Sequence, residues 1–187
     1  TGKPADFIRL HGCNVGCWFC DTGYSKQDYS GKKIPVLELS FLEILNKLKS
    51  NLIVISGGEP MLCPELLPLC ELLLKKGYEV AIETSGTSWQ EIPDEVWLTL
   101  SPKDSVSKLK TKAKAWERAD EIKCIVEYDN PEKNIPAVFP KNSLIYLQPE
   151  AGDFFKNRKD ITPILDLLKK IPRSRLSLQT HKILNIP

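Results

Sequence analysis

Three cysteines near the start of the chain have the spacing of a metal site. Cys13, Cys17 and Cys20 are separated by three and then two residues, on a segment that also contains Gly12 and Gly16. Thiolates are soft ligands, and at close spacing they select iron–sulfur clusters or zinc. A local trio of this kind suits a metal better than a disulfide bond.

The number of thiolates separates these two metals. A structural zinc ion takes four protein ligands, and His11 is the nearest further candidate along the sequence. Three cysteines on a four-iron cluster leave one iron without a protein ligand, and that iron can chelate the amino and carboxylate groups of a substrate. We therefore predict a [4Fe-4S] cluster, with a zinc site completed by Cys63, Cys124 or His181 as the alternative.

The composition argues against several classes of partner. The 187 residues include 26 lysines and arginines and 24 aspartates and glutamates, so no broad electrostatic field favours nucleic acid or an anionic membrane. No apolar run approaches the roughly 20 residues that cross a bilayer, and no charged-then-apolar leader opens the sequence. We expect a cytoplasmic protein whose partner is a small molecule.

A single domain over residues 1–187 is the expected organisation. A chain of this length buries about 70% of the surface that its unfolded form exposes. The sequence begins with Thr1 and enters a strand-like run almost at once. We read this beginning as a sign that a natural N-terminal segment is missing.

Short β-like runs alternate with helix-like runs, which is the pattern of repeated βα units around a parallel sheet. The predicted strands are 7–10, 52–56, 79–83, 96–100, 121–126, 143–147 and 175–179. The predicted helices are 40–49, 64–77 and 162–170, with a loop and a short helix at 105–119. Ser40 is a typical N-cap, Pro64 suits a first helical turn, and Gly77 suits a helix end.

Such units form an open sheet or a partial barrel, and the pattern alone does not separate the two. Both architectures bind ligands at the carboxyl ends of their strands. Polar motifs follow the predicted strands at 13–22, 57–60, 84–86, 101–103, 148–149 and 180–182. One edge of the sheet therefore collects the candidate chemistry.

The cysteine spacing resembles the radical S-adenosylmethionine (radical SAM) superfamily, and the surrounding residues resemble one family within it, the 7-carboxy-7-deazaguanine synthases. The similar motifs extend over nearly the whole chain. They are the segments 7–14 and 20–22, Ser56-Gly57-Gly58-Glu59-Pro60, Glu83-Thr84-Ser85-Gly86-Thr87, Ser101-Pro102-Lys103, Leu147-Gln148-Pro149 and the segment 177–187.

The resemblance implies a carbon–nitrogen lyase that converts 6-carboxy-5,6,7,8-tetrahydropterin to 7-carboxy-7-deazaguanine with loss of ammonia, on the route to queuosine. A deoxyadenosyl radical made from S-adenosylmethionine abstracts a substrate hydrogen, and Mg²⁺ assists. The implied fold is α/β, a partial TIM-like (β/α) barrel, usually as a homodimer. A flavodoxin or ferredoxin is the expected reductant, and neither nucleic acid nor membrane is expected as a direct partner.

The resemblance also assigns roles to individual residues. The expected cluster ligands are Cys13, Cys17 and Cys20, and the expected Mg²⁺ ligand is Thr22. The residues expected to contact S-adenosylmethionine are Phe19, Gly58, Glu59, Ser85, Ser101, Lys103 and Gln148. The residues expected to contact the substrate are Arg9, Gly57, Thr84, His181 and Pro187.

The physical properties of these residues are compatible with the implied roles, although simpler interpretations stay open. Arg9 can pair bidentately with a carboxylate, and the Glu59 region can bind the ammonium group of methionine. A lone hydroxyl from Thr22 suffices for Mg²⁺, which keeps several waters, but Asp21 and Thr22 also suit an ordinary turn. His181 can equally be a hydrogen-bonded structural residue.

The sequence departs from the family at its start. Family members carry a Gln-Gly-Glu-Gly segment ahead of the position matched by residues 1–4, and its glutamate contacts the substrate. This sequence lacks that segment. Two rival functions are an activating enzyme that makes a glycyl radical, which would not explain the segments 20–22 and 180–187, and a zinc-stabilised binding module without catalysis.

Overall fold

The alternation of strands and helices produces one parallel sheet. The computed structural model describes residues 2–20, 36–105, 107–150 and 161–184, apart from the side chains of residues 181 and 182. The strands of the sheet are β1 (Ala5–Leu10), β2 (Leu52–Gly57), β3 (Glu79–Thr84), β4 (Trp97–Leu100), β5 (Glu121–Val126), β6 (Leu144–Pro149) and β7 (Ser174–Leu176). All seven predicted strands are confirmed, although β7 ends at Leu176 rather than at residue 179.

The strands are hydrogen-bonded in the order in which they occur in the sequence, from β1 at one edge to β7 at the other. Every neighbouring pair is parallel. A doubly wound sheet reverses its strand order at a switch point, which places helices on both faces. Here the order does not reverse, so right-handed crossovers place the helices on one face. The expected partial (β/α) barrel is therefore confirmed, and the alternative of an open, doubly wound sheet is excluded.

Four of the helices in the described ranges lie in predicted regions, and the one at residues 180–184 was not predicted. The helices are α1 (Phe41–Leu45), α2 (Leu66–Lys75), α3 (Ala113–Arg118), α4 (Thr162–Lys170) and α5 (Thr180–Leu184), with a 3-10 turn at Pro60–Leu62. Ser40 caps α1 through a reciprocal pair of hydrogen bonds with Glu43, and Gly77 follows α2 with φ +86°. Among these helices, none is both long and apolar enough to span a membrane.

Helix α1 is shorter than the predicted helix over 40–49. The main-chain N–H groups of Lys49 and Ser50 donate to the Asp6 carboxylate, at 2.5 Å and 2.7 Å. These hydrogen bonds hold the chain at the start of β1 and turn it into β2. A tertiary contact therefore ends the helix before its apolar pattern does.

The two faces of the sheet differ because alternate residues of a strand point to opposite sides. On β5, Ile122, Cys124 and Val126 are 0% exposed beneath the helices. Glu121 and Lys123, which point to the other side, are only partly buried. The helix-covered face is apolar, and the opposite face, the inner face of the partial barrel, carries charged groups.

Two hydrophobic clusters fill the helix-covered face. The first packs α2 on β2 to β4 and includes Ile53 and Leu73, and the second packs α3 and α4 on β5 and β6 and includes Ile122 and Ile164. The clusters meet where β4 pairs with β5. That seam has two residue pairs, whereas the β1–β2 and β5–β6 pairings have six each.

Candidate active site

The cysteine loop follows β1 at the carboxyl edge of the sheet. Cys13, Cys17 and Cys20 are free thiols, the first exposed and the others half-buried. The N–H of Cys20 donates to the carbonyl of Cys17 at 3.3 Å. Gly12 and Gly16 have φ of +97° and +69°, a backbone region that glycine adopts without strain. The glycines therefore allow the tight turns that bring the thiols onto one short loop.

The three thiols lie within electrostatic reach of one another and of a cation. Burial raises the pKa of the Cys17 thiol; Lys103 opposes this increase, and Cys20 and Cys13 add to it. In the described part of the chain, no three His, Cys, Asp or Glu side chains converge tightly enough to hold a single metal ion. The two other candidate zinc ligands that can be placed lie elsewhere: Cys124 is buried in the second cluster, and Cys63 contacts Glu65.

The turn after β2 packs directly on the cysteine loop. The N–H of Gly58 donates to the carbonyl of Leu10 at 2.9 Å, and the N–H of Glu59 donates to the carbonyl of Gly12 at 2.8 Å. A Cβ atom on Gly57 would overlap the backbone of Leu10, and one on Gly58 would overlap the carbonyl of Gly12. The space beside these two glycines is therefore occupied by the backbone at the end of β1 and at the start of the cysteine loop, which explains why no side chain fits there.

Glu59 joins the turn after β2 to the loop after β3. The residue is 2% exposed, and its carboxylate accepts hydrogen bonds from Met61 N at 3.1 Å, Thr84 Oγ1 at 2.5 Å and Ser85 N at 2.9 Å. The Ser85 hydroxyl donates to the second carboxylate oxygen. Both oxygens are thus used inside the protein, so Glu59 positions two loops that the sequence analysis treated as separate binding motifs.

Asn14 continues this hydrogen-bond network to the cysteine loop. Ser85 Oγ lies 2.9 Å from Thr87 Oγ1, which donates to Asn14 Oδ1 at 3.1 Å. Asn14 Nδ2 in turn donates to Ser88 Oγ at 3.2 Å. The residue beside Cys13 is therefore connected through hydroxyl groups to the buried carboxylate of Glu59.

Lys103 places a positive charge inside the site. Its Nζ donates to the carbonyl and hydroxyl oxygens of Ser101, at 2.7 Å and 2.6 Å, and the Ser101 hydroxyl donates to the carbonyl of Lys123 at 2.9 Å. Burial is the main cause that lowers the pKa of the Lys103 ammonium group. Among the described residues no carboxylate forms an ion pair with it, so this cation is available to an anionic ligand.

The inner face of the sheet supplies further polar groups below the edge. Lys123 Nζ forms an ion pair with Glu83 Oε1 at 2.6 Å, across the intervening strand β4. Ser177 Oγ donates to Gln148 Oε1 at 3.2 Å. Arg9 is exposed, and its guanidinium lies 5.5 Å from the centre of the Phe7 ring. Arg9 makes no ion pair within the described ranges, so it can meet a carboxylate from outside.

Comparison with known proteins gives the family. A sequence model of the Radical SAM superfamily matches residues 7–107. The 7-carboxy-7-deazaguanine synthase of Aquifex aeolicus is 33% identical, covering 100% of this chain and 87% of that protein. The enzyme of the same name from Escherichia coli is 35% identical, covering 100% of this chain and 92% of that protein. The chain belongs to the 7-carboxy-7-deazaguanine synthase family.

A solved structure supports this membership in the deazaguanine synthase family. The crystal structure of QueE from Escherichia coli superposes with a TM-score of 0.73 at 31% identity, covering 96% of this chain and 86% of that one. Radical SAM enzymes of this family use a [4Fe-4S] cluster and S-adenosylmethionine. The residues present fit both cofactors, because three free thiols share one loop beside a partly buried cation. The zinc module and the glycyl-radical activating enzyme are not favoured.

Three of the site residues predicted from the deazaguanine synthase resemblance are not placed in full by the described part of the chain. Thr22 and Pro187 lie outside the described residues. His181 was expected at the end of the last strand, but its backbone lies in the first turn of α5, because the chain leaves the sheet at Leu176. The His181 side chain is not among those described.

The sequence analysis missed the residues that hold the loops together. Asn14 and Thr87 end two of the motifs quoted above and Ser88 lies directly after one, but none of the three was given a role, because their partners are 73 or 74 positions away. The available signal is weak: short polar residues sit directly beside a predicted ligand and a predicted binding loop. The structure thus adds positioning residues to a candidate site whose ligands are predictions from the sequence.

Proposed function

We propose that this chain is a 7-carboxy-7-deazaguanine synthase that converts 6-carboxy-5,6,7,8-tetrahydropterin to 7-carboxy-7-deazaguanine with release of ammonia. The observation that carries the proposal is the contact between two loops: the loop with three free thiols packs on the turn at 57–59. These loops occur in a chain that aligns along its whole length with relatives bearing this name.

Cys13, Cys17 and Cys20 are the proposed cluster ligands. The bound cluster supplies the electron that cleaves S-adenosylmethionine and so generates the deoxyadenosyl radical. Since the loop contributes three thiolates, a bound [4Fe-4S] cluster would keep one iron free of protein ligands for S-adenosylmethionine. Asn14 is proposed to keep this loop in place through its hydrogen bonds to Thr87 and Ser88.

Lys103 is proposed to bind the carboxylate of S-adenosylmethionine. Its ammonium group has oxygen partners from Ser101 but no carboxylate partner in the described chain, and partial burial strengthens its attraction for an anion. For Glu59 the proposed contact is through the main chain, because its carboxylate is already hydrogen-bonded. The remaining proposed contacts with this cofactor are Phe19, Gly58, Ser85, Ser101 and Gln148.

Arg9 is proposed to bind the carboxylate of the pterin substrate. It stands on the inner face next to the edge that carries the cysteine loop, and a planar guanidinium matches a carboxylate with two hydrogen bonds. The other proposed substrate contacts are Gly57, Thr84, His181 and Pro187. Thr22 is the proposed ligand of a Mg²⁺ ion, which would assist the reaction.

We further propose the cellular setting. A flavodoxin or ferredoxin reduces the protein, which acts as a cytoplasmic homodimer. The domain comprises the whole of residues 1–187. Neither nucleic acid nor membrane takes part directly, in line with a net charge of only +2.

The test is an anaerobic assay of the cluster-reconstituted protein with 6-carboxy-5,6,7,8-tetrahydropterin. Deazaguanine product and 5′-deoxyadenosine are quantified together by chromatography and mass spectrometry, with dithionite as reductant. We expect about four irons per chain and product formation that requires S-adenosylmethionine. Deoxyadenosine without deazaguanine would keep the radical chemistry and refute the proposed substrate.

A pair of cysteine variants tests the cluster ligands. Cys17→Ala removes a proposed ligand, so iron content and deoxyadenosine formation should both be lost. Cys63→Ala is the matched control, because this half-buried thiol lies outside the trio, and it should keep both. Deoxyadenosine formation by Cys17→Ala at the unaltered rate would refute the ligand assignment.

A further inference from the structure

The segment after β4 concentrates positive charge. Residues 103–114 contain five lysines and one aspartate, a net of +4 in a chain whose total is +2. The lysines at 108, 110, 112 and 114 alternate with uncharged residues and are exposed. The positive charge of this protein is therefore localised, although its overall composition is balanced.

Hydrogen bonds join residue 104, near the start of this segment, to residues 110 and 111. The Asp104 carboxylate accepts from Thr111 N at 3.0 Å and from Thr111 Oγ1 at 2.6 Å. Lys110 Nζ donates to the carbonyl of Asp104 at 3.0 Å. The lysines thus project from a closed loop, which reduces the entropy that a partner must remove on binding.

Two of the lysines have no partner for their charge. Within the described residues, the side chains of Lys108 and Lys112 make neither an ion pair nor a hydrogen bond, whereas Lys114 pairs with Glu91 at 2.7 Å. Leu109 lies between the lysines and is 41% exposed. The loop surface formed by residues 108–112 combines uncompensated positive charge with one exposed apolar side chain.

Both ends of the loop are linked to other loops of the candidate site. At its start, Lys103 lies within electrostatic reach of Cys17. Near its end, the N–H of Lys112 donates to the carbonyl of Gly86 at 2.8 Å, and the next residue, Thr87, is hydrogen-bonded to Asn14. A protein seated on residues 108–112 would therefore lie beside the loop of the proposed cluster.

We propose that residues 108–112 form the docking surface for an acidic electron-transfer protein that reduces the cluster. This inference rests on the proposed function, because a cluster that cleaves S-adenosylmethionine must receive an external electron. One electron leaves the reduced flavin or iron–sulfur centre of the donor and enters the oxidised cluster. The rate of electron transfer falls steeply with distance. A charged surface near the cluster loop raises the rate at which the donor meets this protein and holds the donor close to the cluster.

The loop fits an acidic protein better than nucleic acid. Single-stranded nucleic acid is typically held by aromatic side chains that stack on bases, and residues 103–112 contain no aromatic residue. Weak redox encounters bury small interfaces, which matches a loop with three exposed lysines around one leucine.

The test compares two variants with the same change in charge. Lys108→Glu/Lys112→Glu reverses the proposed surface. Lys75→Glu/Lys76→Glu reverses two exposed lysines at the end of α2, on the opposite edge of the sheet. The probe is FMN-loaded flavodoxin, whose affinity for the cluster-loaded protein is measured by calorimetry at low and high salt. Cluster reduction by flavodoxin hydroquinone and by dithionite is followed by absorbance.

We expect the loop variant to bind flavodoxin about tenfold or more weakly and to be reduced by it correspondingly slowly. Dithionite needs no docking surface, so it should reduce both variants like the unaltered protein. Equal losses in the two variants, or no loss in either, would overturn the proposal. It would also be overturned if the loop variant lost affinity for a short RNA duplex while its flavodoxin binding stayed unchanged.

The two proposals fail in different ways. If the dithionite-reduced protein makes no deoxyadenosine, the proposed function is wrong whatever the docking result. If deoxyadenosine forms with dithionite but the loop variant still accepts electrons from flavodoxin normally, only the docking surface is wrong.

Discussion

The two halves of the sheet are held together differently. In the first half, from β1 to β4, the loops at the carboxyl edge touch through backbone contacts at Gly57 and Gly58 and through the buried carboxylate of Glu59. In the described part of the second half, from β5 to β7, the side-chain links at that edge, such as Ser177 to Gln148 and Asn134 to Glu127, both at 3.2 Å, are only partly buried.

This difference matches the division between the cofactor chemistry that the superfamily shares and the substrate chemistry of one family within it. The superfamily sequence model covers residues 7–107, which is the half with interlocked loops, whereas the deazaguanine synthases align with the whole chain. A common cofactor requires one loop geometry, and a dense set of contacts enforces it. The half beyond residue 107, which includes the proposed substrate contacts His181 and Pro187, can therefore vary without disturbing that geometry.

The largest expected effect comes from filling the contact between the cysteine loop and the turn after β2. Gly58→Ala places a Cβ atom into the carbonyl of Gly12, so we expect a loss of about 3 kcal/mol or more in the free energy of unfolding. Urea denaturation measures the loss, and iron content after reconstitution should fall with it.

Gly77→Ala is the matched control for this glycine. Its φ is +86° and no atom stands within 4 Å of the added Cβ, so backbone strain alone should cost about 1 kcal/mol. If Gly58→Ala were no more harmful than Gly77→Ala, the first half would not be held together by close backbone contact.

The next effect tests the polar part of the same network. Glu59→Gln turns an acceptor of four hydrogen bonds into a group that accepts through one atom only, so we expect a loss of about 2–3 kcal/mol. Urea unfolding of the protein without iron measures it. Glu71→Gln, on the exposed side of α2, should stay within about 0.5 kcal/mol, and equal effects would contradict the positioning role.

A smaller effect is expected at the seam between the halves. Lys123 on β5 reaches across β4 to Glu83 on β3, at 2.6 Å, and its side chain is 15% exposed. Lys123→Met should cost about 1–2 kcal/mol, less than a fully buried pair because Glu83 keeps partial access to water. Lys114→Met removes an exposed pair and should cost under about 0.5 kcal/mol. Equal losses of stability in Lys123→Met and Lys114→Met would mean that the Lys123–Glu83 pair does not hold the two halves together.

The smallest effect concerns a charge on the inner face of the second half. Burial is the main cause that raises the pKa of Glu121 above its usual 4.5. The folded protein therefore holds the Glu121 proton more tightly than the unfolded chain does. The resulting contribution to the free energy of unfolding is fully present below about pH 4.5 and is lost as the pH rises through the raised pKa. Glu121→Gln should therefore be slightly more stable than the unaltered protein at pH 7 and equal to it near pH 4. A less stable variant at pH 7 would show that the charged form is favoured in the fold.

Local features of the sequence were enough for the elements and the candidate ligands. Strand β5 has the predicted bounds, Ser40 caps α1, and Gly77 follows α2. These features depend on neighbours a few positions apart, through alternation of apolar residues and hydrogen bonds to the nearest turn. The spacing of the cysteines is likewise a local property, and it led to the correct superfamily.

Other features depend on which distant residues meet. Contacts between distant residues decide the unreversed strand order and the early end of α1, where the chain bonds to Asp6. They also pair Asn14 with Thr87, 73 positions further along the chain. Such contacts are decided by how loops pack once the sheet has curved. The sequence by itself determined the strands, the caps and the thiol spacing, because each is set by near neighbours. Only the tertiary structure decided that the Glu59 carboxylate is hydrogen-bonded within the protein, because packing brings its donors together.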